Sequence, residues 1–308
     1  MKIIVTGGAG FIGSHLVDAL IKRGHEVHVL DNLTTGQLKN LNPKAIPHFV
    51  DICKGRAKEL IIEVKPEVVY HLAAQADVGR SVTNPSFDAE VNINGTINIL
   101  EACSELSVKK LIFASTSAVY GNLETDLLKE EDITAPTSYY GLSKLTAESY
   151  IRMFNELYAL PYTILRYANV YGPRQIPKGE GGVVAVFLDR LARGQSLTIH
   201  GDGEQTRDLI YVKDVVEANL AALKLGNGQT LHVSTSQRTS INDMVKRLET
   251  LHHQPIKTIR AIGRIGDIKH SCLDNRKAMQ FLNWSPKIDI LDGLSKTYTS
   301  FFPGDDKY

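Results

Sequence analysis

The chain has 308 residues, enough for two domains or for one large domain with an elaborated cap. Lysine and arginine number 35 against 34 aspartate and glutamate, so the basic surplus that a nucleic-acid-binding surface needs is missing. No run of 18 apolar residues predicts a membrane span, and three widely spaced cysteines (Cys53, Cys103, Cys272) fit neither a disulfide framework nor a zinc site. Gly7, Gly8 and Gly10 break the apolar start where a signal peptide would continue. These features predict a soluble cytoplasmic α/β protein with no nucleic-acid, membrane or metal partner.

In chain order, residues 3–5 read as a strand, 14–22 as a helix and 27–30 as a second strand, with a third at 48–50. A strand at 68–70 follows a helical stretch ending near Pro66. Strands at 111–113 and 163–165 follow helical patterns over 92–106 and 138–160. Near-continuous apolar strands alternating with helices predict a parallel sheet covered on both faces, doubly wound through right-handed crossovers. The Gly/Pro-rich stretch 172–182 reads as a loop or boundary. Helices are then predicted at 183–193, 215–225 and 241–251, with short strands around Leu197, Leu209 and Leu231. The expected division is 1–168 for a dinucleotide-binding domain and 169–308 for a smaller α/β substrate domain, with 206–226 returning to the first.

Gly7, Gly10 and Gly13 lie between the first strand and its helix, where glycines let the backbone turn tightly and approach a pyrophosphate at the helix N-terminus. Asp31 ends the second strand eighteen residues beyond Gly13, close to the spacing of a carboxylate on the adenosine ribose. Its charge would repel a 2′-phosphate and no arginine follows nearby, so NAD is favoured over NADP. Asp51 is either an acceptor for the adenine amino group or a helix N-cap. The cofactor-contacting set expected around these is Phe11, Ile12, Asn32, Ile52, Ala73, Ala74, Gln75 and Asn92, together with Tyr140 and Lys144.

Tyr140 and Lys144 are four residues apart and share one helix face. A tyrosine near pKa ~10 is a poor base at neutral pH, and a neighbouring ammonium favours its phenolate. Thr116 ends a strand in a run of hydroxyl residues, the position from which open α/β sheets hold ligands. His71 ends an earlier strand and reads as a buried, hydrogen-bonded structural residue rather than a catalytic one.

Together these motifs resemble the extended short-chain dehydrogenase/reductase family, in its nucleotide-sugar epimerase branch. The resemblance runs through TGGAGFIG at 6–13, HLAAQ at 71–75, NINGT at 92–96, STSAVYG at 115–121, YYGLSK at 139–144, LRYANVYGPR at 165–174, GDGEQTRDLIYVKDV at 201–215 and GDI at 266–268. It implies a Rossmann domain with tightly held NAD, and C4 epimerisation of a UDP-sugar through a transient 4-keto form. By resemblance Tyr140 is the base, Lys144 its partner and Thr116 the hydroxyl of the triad. Asn169, Arg207, Arg264, Asp267 and Ser271 would bind the sugar nucleotide.

Family dehydratases and decarboxylases carry acids where this chain has Ser117 and Ala118, which disfavours those rivals and suits hydride and single-proton chemistry. The motifs are also compatible with a UDP-glucuronate 4-epimerase and, in a different class, with a non-catalytic NAD sensor. Ser271, standing where a bulky tyrosine narrows the pocket in relatives, implies tolerance of N-acetylated sugars. The family habit of pairing through two helices implies a homodimer, with Ile97, Leu100, Tyr150 and Phe154 as candidates for the seam.

Overall fold

The predicted alternation unfolds as a central parallel sheet in the computed structural model, which describes residues 1–123, 125–177, 182–262 and 269–303. Strands β1 (Lys2–Thr6), β2 (Glu26–Asp31), β3 (Ile46–Phe49), β4 (Val68–His71), β5 (Lys110–Thr116) and β6 (Tyr162–Tyr167) form its first six members. They are linked by α1 (Phe11–Lys22), α2 (Gly55–Val64), α3 (Val78–Thr83), α4 (Pro85–Ala89), α5 (Gly95–Glu105) and α6 (Tyr139–Tyr158). Beyond them follow β7 (Asn169–Tyr171), α7 (Val183–Ala192), β8 (Leu197–His200), β9 (Thr206–Arg207), β10 (Leu209–Tyr211), α8 (Val212–Ala222), β11 (Gln229–Val233), β12 (Thr239–Ser240), α9 (Ile241–His252), β13 (Thr258–Ala261), α10 (Arg276–Leu282) and α11 (Ile290–Phe301).

The main sheet has the order β11-β6-β5-β4-β1-β2-β3, parallel throughout. The chain reverses its direction of travel across the sheet at β1, which pairs with β2 on one side and β4 on the other. Such a switch point opens a crevice beyond the carboxyl ends of the strands, and all the predicted site strands end there. One face of the sheet buries Ile3 and Val5 against Leu16 and Leu20 of α1 and Val215 and Ala218 of α8. The other buries Ile4, Val69, Leu111 and Phe113 against Ile61 of α2, Ile99 and Leu100 of α5 and Ile151 of α6. A third apolar cluster joins α7, α9 and α11 through Phe187, Leu188, Met244, Leu248, Leu294 and Tyr298.

Within the expected returning segment 206–226 the helix meets the first core, and a strand just beyond that segment joins its sheet. Helix α8 lies beside α1, and β11 becomes the seventh strand, with Leu231 opposite Leu165. Strands β9 and β10 instead pair with β12 and β7 outside that sheet. A five-residue strand of mixed polarity carries no local mark of the sheet it enters; pairing with β6 decides it. Leu100 also differs from its reading as a surface residue: it is fully buried beneath α5, and Phe154 packs against the same cluster.

Candidate active site

A cleft of about 620 Å³ opens at the carboxyl ends of β1, β2, β4, β5 and β6. At one end the glycine loop is packed backbone on backbone. Gly7 has φ +69°, and a Cβ there would lie 2.8 Å from the Ala73 nitrogen; one at Gly13 would lie 2.2 Å from the Gly7 carbonyl. Only glycine fits such approaches. Gly10 precedes α1 with no side chain capping the helix, so its first-turn N–H groups face the cleft as an anion-binding end.

Asp31 is almost buried at the tip of β2. Its Oδ2 accepts the Ala9 N–H at 2.9 Å and its Oδ1 the Leu33 N–H at 2.8 Å. Burial raises its pKa while these two amides pull the other way. The carboxylate thus braces the glycine loop and keeps lone pairs toward the cleft it lines, as a ribose diol requires. Asp51 does not cap α2, whose N-cap is Lys54; its oxygens accept from Cys53 N–H at 2.8 Å and Asn32 Nδ2 at 3.2 Å. Phe11, Ile12, Asn32, Ile52, Ala73, Ala74 and Gln75 line the same half of the cleft. Glycine cradle, uncapped helix end and braced acid fit an adenine dinucleotide.

Asn92 departs from its expected role as a cofactor contact. It lies behind the cleft, with Oδ1 accepting the Gln75 N–H at 2.9 Å and Nδ2 donating to the Gln75 carbonyl at 2.9 Å and Ser143 Oγ at 3.0 Å. With its amide spent on protein partners, it positions the Gln75 loop. His71 is likewise enclosed, bonded to Thr6 Oγ1 at 2.7 Å and Thr96 Oγ1 at 3.0 Å, and burial drives its pKa down to about 3.

The middle of the cleft holds Thr116, Tyr140 and Lys144. Ser138 caps α6 by accepting the Gly141 N–H at 3.1 Å, so Tyr140 stands in the first turn and Lys144 one turn further. Lys144 is nearly buried, its Nζ 4.0 Å from the centre of the Phe113 ring. Burial lowers its pKa to about 7, against the pull of Glu148 and Asp88. On β5 the side chains alternate. Ser115 donates to Glu148 Oε1 at 2.6 Å, while Thr116 Oγ1 accepts the Ala118 N–H at 3.1 Å as the chain leaves the strand.

The far end is lined by Asn169, Arg207 and Ser271, as the motifs imply, and by Gln175, which they do not single out. Gln175 is buried; its Nε2 donates to the Val170 carbonyl at 3.1 Å, leaving Oε1 without a partner among the described residues. Asp208 is a buried knot. Its carboxylate accepts from Thr235 N–H at 2.9 Å, Thr235 Oγ1 at 2.7 Å, Ser236 N–H at 3.1 Å and Leu273 N–H at 3.3 Å. It thereby ties Arg207 to the segment bearing Ser271. Arg264 and Asp267 lie outside the described residues.

Among the described residues no helix is long and apolar enough to cross a membrane. The family model described as NAD dependent epimerase/dehydratase family matches residues 3–233. A UDP-glucose 4-epimerase of Mycolicibacterium smegmatis is 40% identical over 308 residues, 98% of each chain. The crystal structure of a Thermotoga maritima UDP-glucose 4-epimerase with UDP-glucose is similar at TM-score 0.96 and 44% identity, over 98% of this chain and 99% of that one. A Thermus thermophilus UDP-glucose 4-epimerase in complex with NAD follows at TM-score 0.93 and 39% identity, over 99% and 100%. Sequence, sheet order and cleft agree: this chain belongs to the NAD dependent epimerase/dehydratase family, with the extended short-chain dehydrogenase/reductase fold.

Proposed function

We propose that the protein is an NAD-dependent UDP-sugar 4-epimerase acting on the UDP-glucose/UDP-galactose pair. The observation that carries this reading is one continuous cleft, lined at one end by the glycine loop and Asp31, centrally by Thr116, Tyr140 and Lys144, and beyond by Asn169, Arg207 and Ser271.

Gly7, Gly10, Gly13 and the α1 amides hold the pyrophosphate, and Asp31 holds the adenosine ribose. When bound, NAD supplies the acceptor, and later the donor, of the C4 hydride. Tyr140 as phenolate takes the proton of the sugar 4-hydroxyl, and Thr116 orients that hydroxyl. The Lys144 ammonium favours the phenolate by proximity of opposite charge. Arg207 grips the diphosphate with a forked guanidinium, and Asn169 and Gln175 meet the nucleotide end. The 4-keto sugar, loosely held, turns and presents its other face, and Tyr140 returns the proton. Ser117 and Ala118 add no acid or base, so dehydration and decarboxylation lack their catalyst.

Ser271 leaves room beside the sugar, which supports acceptance of N-acetylhexosamine forms as well. The surface of α6 supports homodimer formation: Leu142, Tyr150, Met153 and Leu157 are exposed along its length. Such a dimer would work in the cytoplasm on diffusible UDP-sugars. The test is incubation with UDP-galactose, then with UDP-N-acetylgalactosamine, read by proton NMR. Inversion at C4 with both is expected. A 4-keto-6-deoxy sugar, released carbon dioxide or unchanged substrate would overturn the reading.

A further inference from the structure

One buried carboxylate has no task in this reaction. Asp88 on α4 is fully enclosed, and the hydrogen bonds it accepts all come from neutral groups: Ser143 Oγ at 2.6 Å on Oδ2, with Gln75 Nε2 at 2.8 Å and Asn92 Nδ2 at 3.3 Å on Oδ1. Enclosing a carboxylate that no cation hydrogen-bonds is costly, so its position calls for a physical reason.

Its partners lead to the reaction centre. Ser143 adjoins Lys144 on α6, and Gln75 lines the cleft. Asn92, aimed by the π-helical turn Glu90–Asn94, bonds to both. Lys144 is faced by Tyr140 and Glu148 from its own helix, His71 from β4, the Phe113 ring from β5 and Asp88 from α4. Burial keeps His71 neutral. Glu148 is clasped by Arg166 at 2.7 and 2.9 Å and by Arg152 at 2.7 Å, so its charge is already balanced. Of the two carboxylates that act on Lys144, Asp88 is the one that bonds to no arginine among the described residues.

We propose that Asp88 is a positioning residue of the reaction centre, whose bond to Ser143 sets the Tyr140–Lys144 turn against the Gln75 loop and whose carboxylate is the counter-charge of Lys144. This rests on Tyr140 and Lys144 being the reacting pair. Burial brings the Lys144 pKa down to about 7 even with Glu148 and Asp88 pulling the other way, so loss of the Asp88 charge would take it lower still.

Two substitutions separate charge from shape. Asp88→Asn removes the charge at constant size, and the Ser143 hydroxyl can then accept from the new amide while donating to the Tyr140 carbonyl, 3.1 Å away. Ser143→Ala keeps the charge and deletes the bond. The readouts are the pH dependence of kcat with UDP-galactose and, in the substrate-free protein, the titration of Lys144 through its 13Cε resonance after 13C-lysine labelling. Asp88→Asn is expected to move both the alkaline limb of kcat and the NMR midpoint about one pH unit lower, with KM little changed. Ser143→Ala is expected to lower kcat several-fold at every pH and to move neither midpoint. Asp88→Ser stands in should the asparagine variant fail to fold, with the same shift expected. Unmoved midpoints in the Asp88 variants, or an equal shift in Ser143→Ala, would overturn the proposal. An inactive wild type would instead defeat the functional reading, and the NMR titration would still judge Asp88.

Discussion

Tyr140, Lys144 and Thr116 are legible in sequence because their relation is local: four residues on one helix, and the end of one strand. The residues that hold them are not. Asp88, Asn92 and Asp208 each act through a partner 13 or more positions away in the chain, such as Gln75 for Asp88 and Asn92 and Leu273 for Asp208, and nothing beside them marks that pairing. Gln175 is likewise an ordinary glutamine until the fold buries its Oε1 without a partner among the described residues and sets the residue in the cleft lining. At this scale Tyr140→Phe is predicted to lower kcat by at least ~10²-fold, the usual contribution of a positioned acid–base group, with little change in UDP-sugar affinity. Steady-state kinetics beside calorimetric UDP-galactose binding would check both halves. Near-normal turnover would remove Tyr140 from the mechanism.

The elements were readable to within a few residues wherever a cap or a breaker marks them. Ser138 starts α6, and Ala159 in a left-handed conformation before Pro161 ends it. The glycine loop was readable as a loop, but not the contact that demands it, since Ala73 arrives from another strand. That contact predicts a contrast between two glycines of positive φ. Gly24 has φ +80° with open space around its missing side chain, so Gly24→Ala should cost about 1–2 kcal/mol and leave NAD binding intact. Gly7→Ala adds a collision with the Ala73 backbone at 2.8 Å and should abolish NAD binding as well as lower Tm. Thermal melts with and without NAD would show it; equal behaviour of the two variants would mean that the loop tolerates a side chain and does not cradle the dinucleotide closely.

Across the whole molecule the alternation of strands and helices announced the first sheet, whereas β11 and α8 show that the second half of the chain is shared between two cores. Periodicity reports that a segment is buried, not against what. The joined core carries two enclosed neutral histidines, His71 with pKa about 3 and His232 about 4, both lowered chiefly by burial. Unfolded, each takes up a proton near pH 6.5; folded, only near those lower values. The unfolded chain therefore binds more protons between about pH 6.5 and 4, and stability falls as pH falls through that window. For His71 alone the slope is about 1.4 kcal/mol per pH unit, and His71→Asn should lose it while being less stable at pH 7. Urea unfolding at pH 7 and pH 5 tests this, and an unchanged difference between the two pH values would contradict it. The central claim, that one cleft inverts C4 by removing and returning the same hydrogen, is tested most directly with UDP-galactose deuterated at C4. The account predicts UDP-glucose that keeps the deuterium at C4, formed by the wild type and at least ~10²-fold more slowly by Tyr140→Phe. Deuterium lost to solvent, or a product unchanged at C4, would contradict it.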